Sequence, residues 1–174
     1  GFTANGVNSA GVFVYDTGDP VLFGQRKDHY LDGTANAFKL GSLFPKTGTT
    51  GPLAPDTYVL CDVFGATRVM LPGGTTAKAG APILYYRADT AGKDIRLVYD
   101  ERDNEVLVFL KGAEDGKTHP LGVPGGGYSN FYDYITDPKI TAKQWPYKPN
   151  SYILISAGAD GLYGTGDDVR NFGN

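Results

Sequence analysis

The sequence predicts an α+β fold that is mostly antiparallel β, with long loops and little helix. Three observations point there. Glycine and proline are abundant, at 25 and 11 of 174 residues, and tyrosine reaches 12 while methionine and tryptophan occur once each. This composition favours turns and strands over long helices. Several short runs alternate apolar and polar residues with the period of two that marks a half-buried strand. No period of 20–50 residues repeats, which sets solenoids and propellers aside. The length suits one domain with its own core, so the expected organisation is a single domain over 1–174. Within it, 1–56 would be loop-rich, 57–157 an antiparallel sheet, and 158–174 a tail.

The elements follow in chain order. Residues 1–56 hold short apolar patches, Val12 to Tyr15 and Val21 to Phe23, without helical period. They read as loops with one or two short strands. Strand signals begin with TYVLCDVFG (57–65) and TRVML (67–71), the second stopped by Pro72-Gly73-Gly74. PILYYRAD (82–89) is another strand. DIRLVYD (94–100) and EVLVFLK (105–111) flank Glu101 to Asn104 and read as the clearest hairpin, with Ile95, Leu97 and Tyr99 facing Val106, Val108 and Leu110. A charged turn, Ala113 to Lys117, and a loop at Gly125 to Gly127 follow. SNFYDYI (129–135) predicts the one short helix, capped by Ser129 and with Asp133 in its first turn. SYILISA (151–157) is the last strand, and a Gly/Asp-rich tail closes the chain.

The side-chain inventory excludes several chemistries. Net charge is −3, so there is no basic footprint for nucleic acid. No run of about 18 apolar residues spans a bilayer. Cys61 is the sole cysteine, which excludes an internal disulfide and cysteine-based zinc sites; mid-strand, it reads as a buried, inert thiol. His29 and His119 sit in no motif and read as surface or capping histidines. There is no G-x-S-x-G elbow for a nucleophile. GAEDGKT (112–118) has three residues between its glycines where a phosphate loop has four, and His119-Pro120 follows instead of a helix. Glycoside hydrolysis needs two facing carboxylates, and none of the 19 acids pairs off in the sequence. No catalytic residue is expected, and the chain does not read as an enzyme.

The tail carries the strongest signal. Asp160-Gly161 and Gly164-Thr165-Gly166-Asp167-Asp168 place three carboxylates within nine residues, among glycines that let the backbone fold back. Carboxylate and carbonyl oxygens gathered at flexible geometry suit Ca²⁺, which takes six to eight oxygens at about 2.3–2.6 Å. The spacing is not that of an EF-hand. The plain alternative is an Asp-Gly turn with solvated acids.

The segment SYILISAGADGLYGTGDDVRNFGN (151–174) resembles the C-terminal segment of type IV pilin-like proteins, above all the major pseudopilins of type II secretion. It has a final strand running into Ser156-Ala157-Gly158-Ala159-Asp160-Gly161, then the acidic pair Asp167-Asp168, then Asn171-Phe172. AGAPILYYRAD and NFYDYITDP are similar more loosely. The resemblance implies a pilin-like globular head, a β-meander packed on a long N-terminal helix, with a calcium-binding tail loop. It implies side-chain oxygens from Asp160, Asp167 and Asp168, and backbone oxygens from Ala157 and from a carbonyl within Leu162 to Thr165. It further implies export to the periplasm or cell surface, anchoring in the inner membrane before assembly, and other pilin or pseudopilin subunits as partners. The chain opens on Gly1-Phe2-Thr3, followed by Ala4, Asn5 and Gly6. A pilin would stay apolar there and carry Glu five residues after cleavage, where Gly6 stands. The spine helix is therefore expected to be absent from this chain, leaving a helix-deleted soluble head. The leading expectation is a calcium-stabilised structural subunit of a pilus or pseudopilus. Its rival is a calcium-dependent carbohydrate-binding or adhesion module using tyrosines and Trp145.

Overall fold

A computed structural model describes residues 36–47, 53–65, 67–71, 74–122 and 130–173, which fall within one compact unit, Asn36–Asn174. The patches at Val12 to Tyr15 and Val21 to Phe23, His29, and the glycine loop at 125–127 lie outside the described residues. Among the described residues the architecture is α+β, with three small antiparallel sheets and short helices. Among the described residues, no helix is long and apolar enough to cross a membrane.

The first sheet pairs β1 (Ala37–Lys39) with β2 (Tyr58–Leu60), and α1 (Leu40–Leu43) follows β1 directly. The second pairs β3 (Thr67–Met70) with β4 (Thr76–Ala79), turning at Gly74. The third has the order β5 (Leu84–Arg87), β6 (Tyr152–Ser156) and β7 (Val169–Arg170). It is the sheet that positions the tail. Its alternation is the one expected of a half-buried pair. Leu84 and Tyr86 face inward with Ile153 and Ile155, all fully buried, while Tyr85 and Tyr152 stay exposed on the other side. Those two rings meet at 5.8 Å. Asn171 continues the sheet with its side chain, accepting from the Leu154 N–H at 2.8 Å.

The expected hairpin at 94–111 does not form. Ile95–Val98 is a short helix, α2, followed by a 3-10 turn at Glu101–Asn104 and by an eleven-residue helix, α3, at Glu105–Asp115. Asp94 and Asp100 each accept a backbone N–H two residues on, from Arg96 and Arg102, and these local bonds start the turns. Ile95, Val98 and Tyr99 are buried, a spacing of three and four. Along α3 and the residue before it, Asn104, Leu107, Val108 and Lys111 are buried at the i, i+3, i+4, i+7 spacing of one helix face, with Leu110 beside them. Two of those four are polar, so an apolar-periodicity reading does not see the stripe. Asn104 donates to the Tyr85 carbonyl at 2.7 Å, and Lys111 pairs with Asp115 one turn on. The helix ends on Gly116, left-handed at φ 65°. The charged turn expected at Ala113 to Lys117 is therefore the last turn of α3 and its cap. Nearby, Glu114 accepts from the N–H groups of Lys46 and Thr47, both at 3.1 Å, tying α3 to the segment after α1.

These two readings differ most at Leu107, which a strand would turn outward and the helix buries. Leu107→Ala is expected to lower unfolding stability by about 2 kcal/mol or more in a urea titration. A change within about 0.5 kcal/mol, the usual surface value, would favour the strand.

The short helix after the glycine loop is present as α4, Phe131–Tyr134. Asn130 occupies the N-cap position without a side-chain cap bond, and Ser129 lies outside the described residues. Cys61 is buried beside β2, and burial together with neighbouring Asp62 pushes its thiol up to about 12, so it stays protonated and unreactive. His119, expected at the surface, is instead buried at 2 % exposure. Its Nδ1 accepts the Tyr163 N–H at 3.0 Å. The Tyr163 hydroxyl in turn donates to the Pro82 carbonyl at 2.5 Å, so the tail is bolted to the entrance of β5.

Candidate metal centre

The tail leaves β6 through Ala157, which is fully buried, and folds back on itself before β7. Two glycines make that path possible. Gly158 has φ 62°, and a Cβ there would lie 2.4 Å from the Asp167 carbonyl oxygen. Gly164 has φ 92°, and a Cβ there would lie 2.3 Å from the Leu121 nitrogen. Both the left-handed backbone and the missing space exclude other residues. Gly164→Ala is expected to cost at least about 2 kcal/mol of stability, measured by chemical denaturation, whereas Gly166→Ala, with open space around it, is expected to cost far less.

Within the loop the carboxylates are held from several directions. Asp167 Oδ2 accepts from the N–H groups of Ala159 at 2.8 Å and Asp160 at 3.1 Å. Asp168 Oδ2 accepts from the Gly164 N–H at 2.8 Å and from the Tyr134 hydroxyl. That second bond joins the tail to α4, 34 residues away in sequence. Asp160 uses Oδ1 for the Leu162 N–H at 2.7 Å, closing a local turn.

The decisive geometry surrounds Thr165. Its Oγ1 lies 2.5 Å from Asp167 Oδ1, 3.3 Å from Asp168 Oδ1 and 3.2 Å from the Leu162 carbonyl oxygen. A threonine hydroxyl has one proton to donate. Three acceptors, two of them on carboxylates, therefore share a single donor. The two carboxylates also accept backbone N–H groups of Ala159, Asp160, Gly164 and Thr165, and carboxylate, hydroxyl and carbonyl oxygens are the donor types that Ca²⁺ takes.

The electrostatics agree. The Thr165 hydroxyl and the Asp160 N–H hold the Asp167 carboxyl below its ordinary value, so it is anionic at neutral pH. Burial pushes Asp168 above its ordinary value, against the bonds from Tyr134 and Gly164. A cation beside Asp168 would reverse that upward shift. Burial, and then the Asp168 contact, keep the Tyr134 phenol protonated and able to donate.

The structure thus brings Asp167 and Asp168 together with the Leu162 carbonyl, the last within the span expected to supply one. Asp160 enters through its N–H, with its carboxylate turned to Leu162. No hydrogen bond among the described residues joins Ala157 to the Thr165 cluster. Among those residues, no three His, Cys, Asp or Glu side chains are gathered so as to hold a metal; the cluster has two, completed by a hydroxyl and a carbonyl. The Thr165 side chain was missed in sequence, although a threonine two residues before an acidic pair is a local signal. Tyr134 left none.

The chain matches no family model, and no curated protein or solved structure is significantly similar to it.

Proposed function

We propose that this chain is the head of a filament-forming pilin or pseudopilin subunit, non-enzymatic and stabilised by Ca²⁺ in its C-terminal loop. The observation that carries the calcium part is the oxygen cluster at Thr165. Asp167 and Asp168 would hold the ion, with Thr165 Oγ1 and the Leu162 carbonyl beside them. The ion would supply charge neutralisation, holding the tail against α4 through Asp168 and Tyr134. The filament part is supported by the resemblance of residues 151–174 and by a sheet strand, β6, feeding the acidic loop. Its partners would be further subunits of the same kind, and its place the periplasm or cell surface after export, reached from an inner-membrane anchor.

Thermal melting in about 10 mM Ca²⁺, roughly 100 times a Kd of about 10⁻⁴ M, and then in EDTA tests the ion. At about 100 times Kd, calcium adds roughly 2.7 kcal/mol, which for a chain of this size raises the midpoint by about 5–10 °C. An extracellular site can work with a Kd of about 10⁻⁴–10⁻³ M. An identical midpoint in both buffers would contradict the calcium site.

One observation favours a second reading, a calcium-dependent carbohydrate-binding module. The exposed Tyr85 and Tyr152 flank a shallow groove of about 550 Å³ that also presents Asp89, Thr90 and Asn150. Such a pair of rings beside polar groups can stack on a sugar. Trp145, the other expected sugar contact, is half-buried with the Lys143 ammonium 3.5 Å above its ring. Glycan-array binding that is lost in Tyr85→Ala would support this second reading.

A further inference from the structure

The outward face of the β3–β4 hairpin carries unmatched positive charge. Arg68 and Lys78 are directly opposite in the register and both exposed. Like charges placed so across an antiparallel pair destabilise it. Neither is within ion-pair distance of an acid among the described residues. Met70 shares this face two residues from Arg68 and is 69 % exposed. It borders an apolar cavity of about 290 Å³ lined also by Lys39 and Tyr58, the lysine ammonium lying 5.6 Å from the centre of the tyrosine ring. A hairpin that keeps two cations opposed beside an exposed methionine and tyrosine is arranged for an anionic, partly apolar partner.

The same chain presents a surface of that kind. Residues 93–105 hold five acids, Asp94, Asp100, Glu101, Asp103 and Glu105, against Lys93, Arg96 and Arg102. Arg102 is taken by Asp100 at 2.7 Å, and the Arg96 guanidinium stacks 4.5 Å from the centre of the Tyr132 ring. Asp103 is left exposed, and Leu97 stands out from α2 at 63 % exposure.

We infer that the basic hairpin face of one copy, Lys39, Tyr58, Arg68, Met70 and Lys78, docks on the acidic 93–105 segment of a second copy, around Leu97 and Asp103. The two surfaces are different patches of one molecule, so the contact is head-to-tail. Such a contact leaves each patch free at opposite ends of a pair and extends to open chains. This inference rests on the filament reading and names the faces that would meet.

Zero-length carbodiimide coupling tests it, because it joins lysine amines to carboxylates already in contact. An equal mixture of ¹⁴N and ¹⁵N chain is treated at about 1 mM, where a contact of about 1 mM Kd is substantially formed. Mass spectrometry of the mixed-isotope product is expected to show Lys78 or Lys39 joined to Glu101 or Asp103. The double variant R68E/K78E, and separately E101K/D103K, are expected to lower the mixed product about tenfold. The variant carrying all four changes, with charges exchanged, is expected to recover it. Links between other surfaces, or the same yield in R68E/K78E, would overturn these faces and leave the filament reading standing. So would the absence of any mixed product. Calcium-dependent melting of the same samples keeps the two failures apart, because it does not depend on contact between copies. Binding to phosphatidylglycerol vesicles that R68E/K78E abolishes, with no mixed product, would overturn the inference by making a lipid surface the occupant.

Discussion

His119→Asn is expected to flatten the stability of this protein against pH between about 6.5 and 4. Burial, with help from the nearby Lys111 charge, lowers the His119 imidazole from its ordinary 6.5 to about 4. The unfolded chain therefore takes up a proton at about 6.5, while the folded chain resists until about 4. Stability is undiminished above 6.5, falls as pH drops through that window, and levels off below it. The interval of about two and a half pH units corresponds to roughly 3 kcal/mol at 1.36 kcal/mol per unit. In melting experiments that is a shift of about 6–12 °C for a chain of this length. Asparagine can present Oδ1 where Nδ1 accepts the Tyr163 N–H, so the variant keeps the bond and removes the proton site. Urea midpoints taken at pH 7.5, 6, 5 and 4 read the slope. An unchanged slope in the variant would mean that other groups set it. The depressed carboxylates, Asp100 and Asp167, lose their contributions at more acid pH, and the raised Asp103 and Asp168 act with opposite sign.

The second large effect is expected at Asp168. Asp168→Asn keeps a carbonyl oxygen for the Tyr134 hydroxyl and the Gly164 N–H but removes the charge from the Thr165 cluster. In EDTA the variant is expected to melt within a few degrees of the parent, or higher, because a half-buried carboxylate with a raised pKa is itself a burden on the fold. In calcium it is expected to lose the parent's rise of about 5–10 °C. Tyr134→Phe separates support from ligation. It removes the hydroxyl that orients Asp168, and is expected to weaken calcium binding without abolishing it, as loss of an outer-shell bond typically does by about 10–100-fold. Full calcium-dependent stabilisation in Asp168→Asn would remove that carboxylate from the site.

What the sequence showed, and what it hid, follows from which interactions are local. β5 and β6 were legible because Leu84, Tyr86, Ile153 and Ile155 alternate with exposed tyrosines, and period two is written directly in the residues. The segment 94–111 misled for a related reason. Ile95, Leu97 and Tyr99 also alternate, and the unbroken apolar run Val106 to Leu110 fits a strand or a helix alike, yet the buried helical face is completed by Asn104 and Lys111, whose partners lie across the fold or on the next helical turn. The opening Asx bonds at Asp94 and Asp100 and the closing Gly116 were the better signals, because capping is local chemistry. In the tail, the acidic pair and its glycines could be read, and so could a loop carbonyl. The turn of Asp160 toward Leu162 could not, since an aspartate before glycine serves equally as a ligand or as a local turn. His119 was placed at the surface because nothing nearby announces Tyr163, 44 residues on.

The most direct measurement of the central claim is long-wavelength anomalous diffraction from crystals grown in calcium. The account predicts one calcium peak in the tail, bonded to the carboxylates of Asp167 and Asp168 with the Leu162 carbonyl and the Thr165 hydroxyl at its edge, and no peak in crystals of Asp168→Asn. Electron density with Thr165 still hydrogen-bonded to Asp167, and no anomalous signal between residues 157 and 168, would contradict it.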